Sequence, residues 1–321
     1  MAKVLVIGGA GYIGSHVVLE LLDKGHQVVV FDNLSTGQKI NLSDKAQFIE
    51  GDILDIKALE KAMSQNIDAV IHMAALKAVG ESMEKPNIYA VNNITGGVNI
   101  LNTMLKCNVQ NIVFSSSAAV YGMPNYLPVD EKHEKNPINF YGYTKSFFED
   151  LMGWYHTLKG INFIALRYFN AVGYDALKRI KGKEKNPQNL LPIIMEAATG
   201  KRDGFQIFGK DYDTPDGTCE RDYIHVSDLA AAHEKAINYL LNKHQSHILN
   251  LGTGTAVSVK QMVEATEEVI GKSLKYTYAP RRAGDPAKLM AKSDLAHKVL
   301  GWQPKYTDIK DIIQTTWNME K

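Results

Sequence analysis

The 321-residue chain has little cysteine and no long hydrophobic run. Its two cysteines, Cys107 and Cys219, lack CxxC spacing, so we expect reduced thiols and no disulfide scaffold. No stretch approaches the ~18 uncharged apolar residues that a transmembrane helix needs. The N-terminal segment turns glycine-rich before a signal-peptide core could form, so we expect a cytoplasmic protein.

The chain also lacks an excess of charge of either sign. Its 36 Lys and Arg residues nearly balance 35 Asp and Glu residues, which gives no electrostatic drive toward nucleic acid or membranes, so we expect neither as a partner. The basic run 178–185 has no interleaved aromatic residues and is expected to be a solvated loop. His244 and His247 have no carboxylate or cysteine at ligand spacing, so no metal is expected. His72 is expected to be a core histidine with satisfied hydrogen bonds.

Arginine is missing from the first 166 residues. The six arginines are Arg167, Arg179, Arg202, Arg221, Arg281 and Arg282. Because arginine binds phosphate groups in a bidentate manner, this asymmetry predicts that the second half of the chain handles a phosphorylated ligand, separate from any cofactor bound by the first half.

The first half alternates short β-branched runs with helix-length amphipathic segments. The predicted strands are 4–7, 28–31, 47–49, 69–71, 112–114 and 162–166. The predicted helices are 13–22, 56–63, 88–105 and 141–158, followed by 190–199, 228–240 and 259–270. This alternation predicts an α/β fold with a Rossmann-type, doubly wound parallel sheet. We expect an NAD-binding domain over residues 1–168 and a smaller, partly interleaved substrate domain over residues 169–321.

Four glycines directly follow the first predicted strand: Gly8, Gly9, Gly11 and Gly14. The order strand, glycines, helix lets backbone N–H groups and a helix N-terminus approach a pyrophosphate. Asp32 ends the second predicted strand, where its carboxylate can accept hydrogen bonds from ribose hydroxyls. No arginine lies nearby in sequence to bind a 2′-phosphate, so the sequence favours NAD over NADP.

A tyrosine four residues before a lysine on a helix can serve as an acid/base, because the ammonium group stabilises the phenolate. The spacing occurs five times, at Tyr141/Lys145, Tyr155/Lys159, Tyr174/Lys178, Tyr239/Lys243 and Tyr306/Lys310. Position favours Tyr141, since it follows the fifth strand, whose end carries the serines 115–117, and ligands bind at such strand ends.

Together these motifs resemble those of the extended short-chain dehydrogenases/reductases and, among them, the UDP-glucose (UDP-galactose) 4-epimerase family, over nearly the whole chain. The motifs are GGAGYIGSH (8–16), DNL (32–34), GDI (51–53), LKAVGES (76–82), FSSS (114–117), YGYTK (141–145), LRYFN (166–170), RDYIHV (221–226) and APRRAGD (279–285).

The resemblance implies a role for each matched residue. Tyr141, Lys145 and Ser117 would be catalytic, with Tyr141 as the acid/base. The implied NAD-binding residues are Gly8, Gly11, Tyr12, Ile13, Gly14, Asp32, Asn33, Asp52, Ile53, Met73, Lys77, Asn92, Tyr141, Lys145 and Phe169. The implied substrate-binding residues are Ser117, Tyr141, Asn170, Asn189, Leu190, Phe208, Arg221, Arg282, Asp285 and Leu289.

The implied reaction inverts C4 of a UDP-hexose, UDP-galactose or UDP-glucose, through a transient 4-keto sugar. The resemblance also implies a homodimer formed by the helices near 88–105 and 141–158. A UDP-N-acetylglucosamine 4-epimerase or a bifunctional enzyme is an open alternative, because Leu289 is smaller than the tyrosine associated with simple hexoses. A 4,6-dehydratase would need an acidic pair where Ala118 and Ala119 stand, and a non-catalytic NAD sensor would typically have lost the tyrosine or the lysine.

Overall fold

The computed structural model describes residues 1–184, 187–282 and 284–321. Its large sheet contains seven parallel strands, β1 (Lys3–Ile7), β2 (Gln27–Asp32), β3 (Gln47–Glu50), β4 (Ala69–His72), β5 (Asn111–Ser117), β6 (Asn162–Tyr168) and β10 (His247–Leu251). The other strands are β7 (Asn170–Val172), β8 (Phe205–Phe208), β9 (Glu220–His225), β11 (Ala256–Ser258), β12 (Tyr276–Ala279) and β13 (Lys288–Leu289). The large sheet has the order β10-β6-β5-β4-β1-β2-β3, which confirms the predicted doubly wound fold.

The α-helices are α1 (Tyr12–Asp23), α2 (Ile56–Met63), α3 (Val79–Glu84), α4 (Pro86–Tyr89), α5 (Gly96–Lys106), α6 (Phe140–Lys159), α7 (Leu190–Ala198), α8 (Val226–Lys243), α9 (Val259–Ile270), α10 (Asp294–Leu300) and α11 (Ile309–Asn318). A π-helical turn, Ala90–Thr95, joins α4 to α5. Short 3-10 turns cover Lys39–Asn41 and Ala118–Val120. In the described part of the chain, no helix is both long and apolar enough to cross a membrane.

Helices cover both faces of the large sheet because its buried strands present apolar side chains alternately to each side. In β1, Val4 and Val6 pack with α1 and α8, whereas Leu5 and Ile7 pack with α2, α5 and α6. The carboxyl ends of the parallel strands therefore meet at one edge, between the two helix layers.

Helix α6 has a well-defined start at this edge. The side chain of Asn139 accepts a hydrogen bond from the Gly142 amide at 2.8 Å, and Gly160 ends the helix in the left-handed conformation at φ 72°. The Asn139 cap places Tyr141 in the first turn of α6, near the end of β5.

The rest of the chain forms a second core around β9, which pairs with β7, β11 and β13. Strands β8 and β12 form a separate parallel pair. Helices α7, α9 and α11 contribute to this core. Strand β10 and helix α8 return to the large sheet, so the second half of the chain contributes to the first core as well. The division at residue 168 stays a prediction.

Candidate active site

The glycine-rich turn after β1 is shaped by close backbone approaches. Gly8 has φ 86°, and a Cβ atom there would lie 2.7 Å from the amide nitrogen of Ala74. A Cβ on Gly14 would overlap the carbonyl oxygen of Gly8. Helix α1 begins after Gly11 without a side-chain cap or an acidic residue in its first turn. These backbone groups fit a pyrophosphate, which binds amides at a helix N-terminus.

Asp32 is the last residue of β2, and Asp52 follows the end of β3 by two residues. Asp32 is buried and accepts hydrogen bonds from the amides of Ala10, at 3.0 Å, and Leu34, at 2.8 Å. Burial raises the pKa of Asp32, and these two amides oppose the rise. Asn33 donates to Asp52 at 2.8 Å, which brings two of the predicted adenosine-binding residues together.

The segment after β4 lies across the same edge of the sheet. The amide of Met73 donates to the Ile7 carbonyl at 2.8 Å. Asn92 lies in the π-helical turn and donates to its neighbour Asn93 at 2.9 Å. Asn93, which the sequence analysis missed, exchanges hydrogen bonds with the backbone of Leu76 and reaches Thr144 of α6 at 3.1 Å. Asn93 therefore fixes the segment that carries Met73 and Lys77.

Residues 173–184 form a strap that crosses the start of α1. Tyr12 donates to the carbonyl of Gly173 at 2.5 Å, and the Asp175 amide donates to Nε2 of His16 at 3.0 Å. The Gly182 amide donates to Asn41 at 2.6 Å. Tyr12, His16 and Asn41 thus join the strap to the first half of the chain.

The strap agrees in part with the expected solvated loop: residues 178–184 form no helix or strand, and Lys178, Arg179 and Lys181 are exposed, but other residues of the run are buried. Ile180 is only 1% exposed and Gly182 is buried. Lys77, expected to bind the cofactor's phosphates, forms an ion pair with Glu184 at the end of the strap. Lys185, the last residue of the predicted loop, lies outside the described residues.

Tyr141 and Ser117 meet where α6 begins and β5 ends. The Tyr141 amide donates to Ser82 at 3.1 Å, and the Ser117 side chain accepts from the Ala119 amide at 3.1 Å. Burial raises the pKa of Tyr141, whereas a hydrogen bond with the Ser117 side chain opposes the rise. The two predicted catalytic side chains therefore lie close to each other.

Lys145 lies one helical turn after Tyr141, and its ammonium nitrogen is 5.8 Å from the centroid of the Tyr141 ring. It donates to the Ser115 carbonyl at 2.7 Å. Burial lowers the pKa of Lys145 to about 7, and the charge of Glu149 opposes this effect. The sequence predicts that Lys145 lowers the pKa of Tyr141, whereas in this structure burial raises it.

A buried ionic network that sequence reasoning missed lies beneath Lys145. Glu149, a further turn along α6, accepts two hydrogen bonds from Arg167, at 2.9 and 2.6 Å, and one from Ser116 at 2.6 Å. Arg167 also donates to Tyr121, which donates to Asn250 of β10. The spacing Tyr141, Lys145, Glu149 was a usable signal, because these residues share one face of α6.

The second core brings predicted substrate residues from distant segments together. Arg221 of β9 is opposite Leu289 of β13 in register, and Asn170 of β7 is opposite Tyr223 of β9. Arg221 is 8% exposed and donates to the carboxylate of Asp285. Leu289 packs against a cluster that contains Phe169 and Ala118. Ala118 follows Ser117, so β13 lies beside the end of β5.

The remaining predicted substrate residues lie on β8, α7 and the segment after β12. The Arg282 guanidinium stacks over the Phe208 ring, 4.0 Å from its centroid, a favourable cation–π arrangement. Asn189 is the residue before α7, which begins at Leu190, and it lines a small cavity together with Tyr12 and Glu184. Asn189 is therefore next to both the strap and the glycine-rich turn.

The arginines of the second half do not all lie at the predicted substrate site. Arg167 belongs to the buried network, Arg179 pairs with Asp175 and Asp23, and Arg202 pairs with Glu196. Arg281 pairs with Asp211. Only Arg221 and Arg282 match positions implied to bind the substrate. The other four arginines form ion pairs with carboxylates of the chain itself.

The expectation for His72 was wrong in one respect. His72 is buried, but its Nδ1 has no hydrogen-bond partner among the described residues. It packs between the rings of Phe114 and Phe148, with centroids 5.5 and 5.4 Å away. Burial, and then the charge of Lys145, lowers the pKa of His72 to about 3. The described residues contain no cluster of three or more potential metal ligands.

The fold and this arrangement of side chains are those of the dinucleotide-binding α/β class. A family model, the NAD dependent epimerase/dehydratase family, matches residues 4–252, and the chain belongs to this family.

Similar proteins narrow the comparison. The chain is 46% identical over 320 residues, 99% of its length, to a UDP-glucose 4-epimerase of Halalkalibacterium halodurans, 95% of which is covered. A UDP-glucose 4-epimerase structure from Stenotrophomonas maltophila, with bound NAD and formylated UDP-arabinopyranose, has a TM-score of 0.96, 40% identity, and coverage of 100% of this chain and 98% of that one. The UDP-Glc/GlcNAc 4-epimerase of Campylobacter jejuni has a TM-score of 0.87, 38% identity, and coverage of 100% and 99%.

Proposed function

We propose that the protein is an NAD-dependent isomerase that inverts C4 of a UDP-hexose and interconverts UDP-galactose and UDP-glucose. The observation that carries this proposal is the meeting of Tyr141, Ser117 and Lys145 at the end of β5, beside the strand that carries Leu289. The full-length similarity to UDP-glucose 4-epimerases supports the same reaction.

The roles of the side chains follow from their positions. Tyr141 takes the proton of the sugar's 4-hydroxyl and returns it, and Ser117 orients that hydroxyl. Lys145, held by the Ser115 carbonyl, supplies positive charge near the phenol when it is protonated. When bound, NAD would accept the hydride of C4 and return it to the other face of the 4-keto sugar.

The residues present fit NAD better than NADP. The glycine-rich turn and the uncapped start of α1 fit the pyrophosphate. The Asp32 carboxylate would accept hydrogen bonds from the adenosine ribose and repel a 2′-phosphate. Asn33, Asp52 and Ile53 would surround the adenosine, with Lys77 at the phosphates.

The substrate's nucleotide would be held by charge and its sugar by looser contacts. Arg221, Arg282 and Asp285 would bind the diphosphate and ribose, and Phe208 would lie at the uracil. Asn170, Asn189 and Leu190 would line the rest of the pocket. Strong nucleotide contacts and a permissive sugar pocket suit a reaction in which the 4-keto sugar must turn over before the hydride returns.

A 4,6-dehydratase, another reaction of sugar nucleotides, finds no support at the strand end. Ala118 and Ala119 follow Ser117 and form the 3-10 turn there. Alanine cannot exchange the protons that elimination of water requires.

A second candidate activity is epimerisation of UDP-N-acetylglucosamine. Leu289 packs against the cluster at the end of β5 and is only partly buried. A leucine there leaves more space at the C2 substituent of the sugar than a tyrosine would. The similarity to the Campylobacter jejuni UDP-Glc/GlcNAc 4-epimerase supports this breadth.

We also propose a homodimer. Helix α6 carries exposed apolar side chains along its length, including Tyr143, Trp154 and Leu158. Ile88 of α4 and Val91 of the π-helical turn are also exposed. Exposed apolar side chains that line neighbouring helices are typical of an interface. Light scattering should give twice the chain mass.

The cytoplasmic location stays a prediction.

The proposed reaction is tested by incubating the purified protein with UDP-galactose, with and without added NAD. UDP-glucose should appear, and protein from which NAD has been stripped should require NAD. Formation of a 4-keto-6-deoxy sugar would favour the dehydratase, and absence of any product with NAD present would contradict both.

A further inference from the structure

Ser82 of α3 is a fully buried residue that the function described so far does not use. Its hydroxyl donates to the carbonyl of Val79 in the same helix at 2.6 Å. The same oxygen accepts a hydrogen bond from the amide of Tyr141 at 3.1 Å. Because a hydroxyl has one proton, and Val79 receives it, the oxygen turns a lone pair toward α6. Ser82 therefore joins α3 to the helix that carries the proposed acid/base.

This contact completes the start of α6. The first amides of a helix have no acceptor within the helix, so other groups must accept from them. Beside the cap residue Asn139, two consecutive residues of α3 do so: the Phe140 amide donates to the sulfur of Met83 at 3.3 Å, and the Tyr141 amide donates to Ser82. The direction of the first turn of α6 is therefore set partly by α3.

The carbonyl of Tyr141 is held as well. The Thr144 hydroxyl donates to it at 2.8 Å and accepts from Asn93 at 3.1 Å. Asn93 in turn exchanges hydrogen bonds with the backbone of Leu76, at 2.9 and 3.0 Å. Both polar groups of the Tyr141 backbone are thus tied to the segment 76–93, which also carries Lys77, proposed to lie at the cofactor's phosphates. The position of the tyrosine is coupled to that of the cofactor segment.

We propose that Ser82 is a positioning residue for the reaction: by holding the amide of Tyr141, its hydroxyl fixes the reach of the Tyr141 phenol toward the sugar's 4-hydroxyl. Proton transfer needs the two oxygens at hydrogen-bond distance, so a small shift of the first turn of α6 slows turnover without removing any contact to substrate or NAD. This assignment rests on the proposed function, because it takes Tyr141 as the acid/base.

The test is Ser82→Ala, which leaves the Tyr141 amide without its acceptor. The kcat for UDP-galactose should fall by about tenfold, because the phenol is misplaced. Affinities for NAD and UDP, measured by titration, should stay within about twofold of the wild type, because Asn93 still holds the cofactor segment. Residue-resolved hydrogen exchange should show faster exchange of the Tyr141 amide. A purely structural hydroxyl would instead lower the melting temperature and leave the kcat of the folded enzyme unchanged.

Ser82→Cys provides a second variant that keeps the packing of the buried site. A thiol is close to a hydroxyl in shape but is a weaker donor and acceptor. Its kcat should lie between those of the wild type and Ser82→Ala, with binding again unchanged. If Ser82→Ala does not fold, Ser82→Cys decides the assignment: a kcat equal to that of the wild type would contradict it.

The matched control is Ser258→Ala, the same substitution at a buried serine that accepts the amide of Gln261 at the start of α9, at 2.9 Å. This helix packs in the second core, so the variant should lose stability and keep its kcat. If the wild type interconverts UDP-galactose and UDP-glucose and Ser82→Ala does so with the same kcat, only this assignment fails. If the wild type does not catalyse the reaction with NAD present, the proposed function fails and the assignment fails with it.

Discussion

The two halves of the candidate active site hold their groups by different means. In the cofactor half, the key geometry is backbone against backbone: Gly8 against Ala74, and Gly14 against Gly8. In the nucleotide half, side chains from distant segments meet, as Arg221 does with Asp285, 64 residues away. The first arrangement leaves no space for an added atom, whereas the second depends on side chains that can shift. The halves should therefore respond differently to substitution.

The largest effect is expected from Tyr141→Phe, which keeps the ring between the two halves and removes only the proton acceptor. Turnover should fall by about 10²–10⁴-fold, the usual span for an acid/base group, while NAD and UDP affinities stay close to the wild type. Tyr155→Phe is the matched control, because Tyr155 also precedes a lysine by four residues on α6 and its hydroxyl donates to Asn102, away from Ser117. Near-normal turnover in Tyr141→Phe would contradict the assignment.

The next largest effect is expected from Gly14→Ala, which tests the rigidity of the cofactor half. The added methyl group meets the Gly8 carbonyl, so the turn must shift away from the shape that fits a pyrophosphate. Restoring that shape on binding at a cost of about 1–3 kcal/mol corresponds to a loss of NAD affinity of about 5- to 150-fold. Gly153→Ala on α6, where nothing lies within 4 Å of the new Cβ, should bind NAD normally. Fluorescence titration of NAD into both variants measures the difference. Equal affinities would show that the turn adjusts as easily as the nucleotide half.

A smaller effect is expected from Leu289→Tyr, which tests how well the nucleotide half tolerates a larger side chain. The wild type should turn over UDP-N-acetylglucosamine detectably but more slowly than UDP-glucose. The variant should lower that rate by about tenfold, because a bulkier side chain crowds the C2 substituent. Leu289→Met, which conserves volume, is the control. A wild type that epimerises UDP-galactose well and gives no N-acetylated product would leave strict hexose specificity.

The smallest effect on the reaction itself is expected from His72→Leu, which changes the pH dependence of stability instead. His72 has a pKa near 3 in the folded chain and an ordinary value of 6.5 when unfolded, so between these values only the unfolded chain takes the proton. The free energy of unfolding therefore falls as pH decreases from 6.5, by about 1.4 kcal/mol per unit for this group. His72→Leu should flatten that slope in denaturation series, whereas His297→Leu, at an exposed position, should not. Parallel slopes for the wild type and His72→Leu would show that another group is responsible.

The difference between the halves also explains what the sequence could predict. The large sheet and the helices around it follow from alternation and period, and the glycine-rich turn from its glycines. The joining of β10 to β6 has no local signal, because a parallel partner is chosen by the packing of the whole chain. The strap has no local signal either, because its basic run indicates exposure to solvent. Its contacts with Asn41 and Lys77 join residues more than 100 positions apart, so they could not be predicted from sequence.

The candidate site, like the fold, was predictable only in part. Tyr141 could be chosen among five similar pairs because it follows a strand end. The roles of Arg221, Asp285 and Leu289 depended on the resemblance, and they stay predictions. Glu149 and Arg167 were missed because a buried ion pair between a helix and a strand has no fixed spacing.

Strand β10 also affects how the chain can be made. During synthesis, β6 stays at the open edge of the sheet until residues 247–251 have emerged, although it is almost wholly buried in the finished protein. An open strand of this kind can pair with other chains. The period between the completion of β6 and the arrival of β10 is therefore when the nascent chain is most exposed to aggregation, and a stalled or truncated product would retain that open edge.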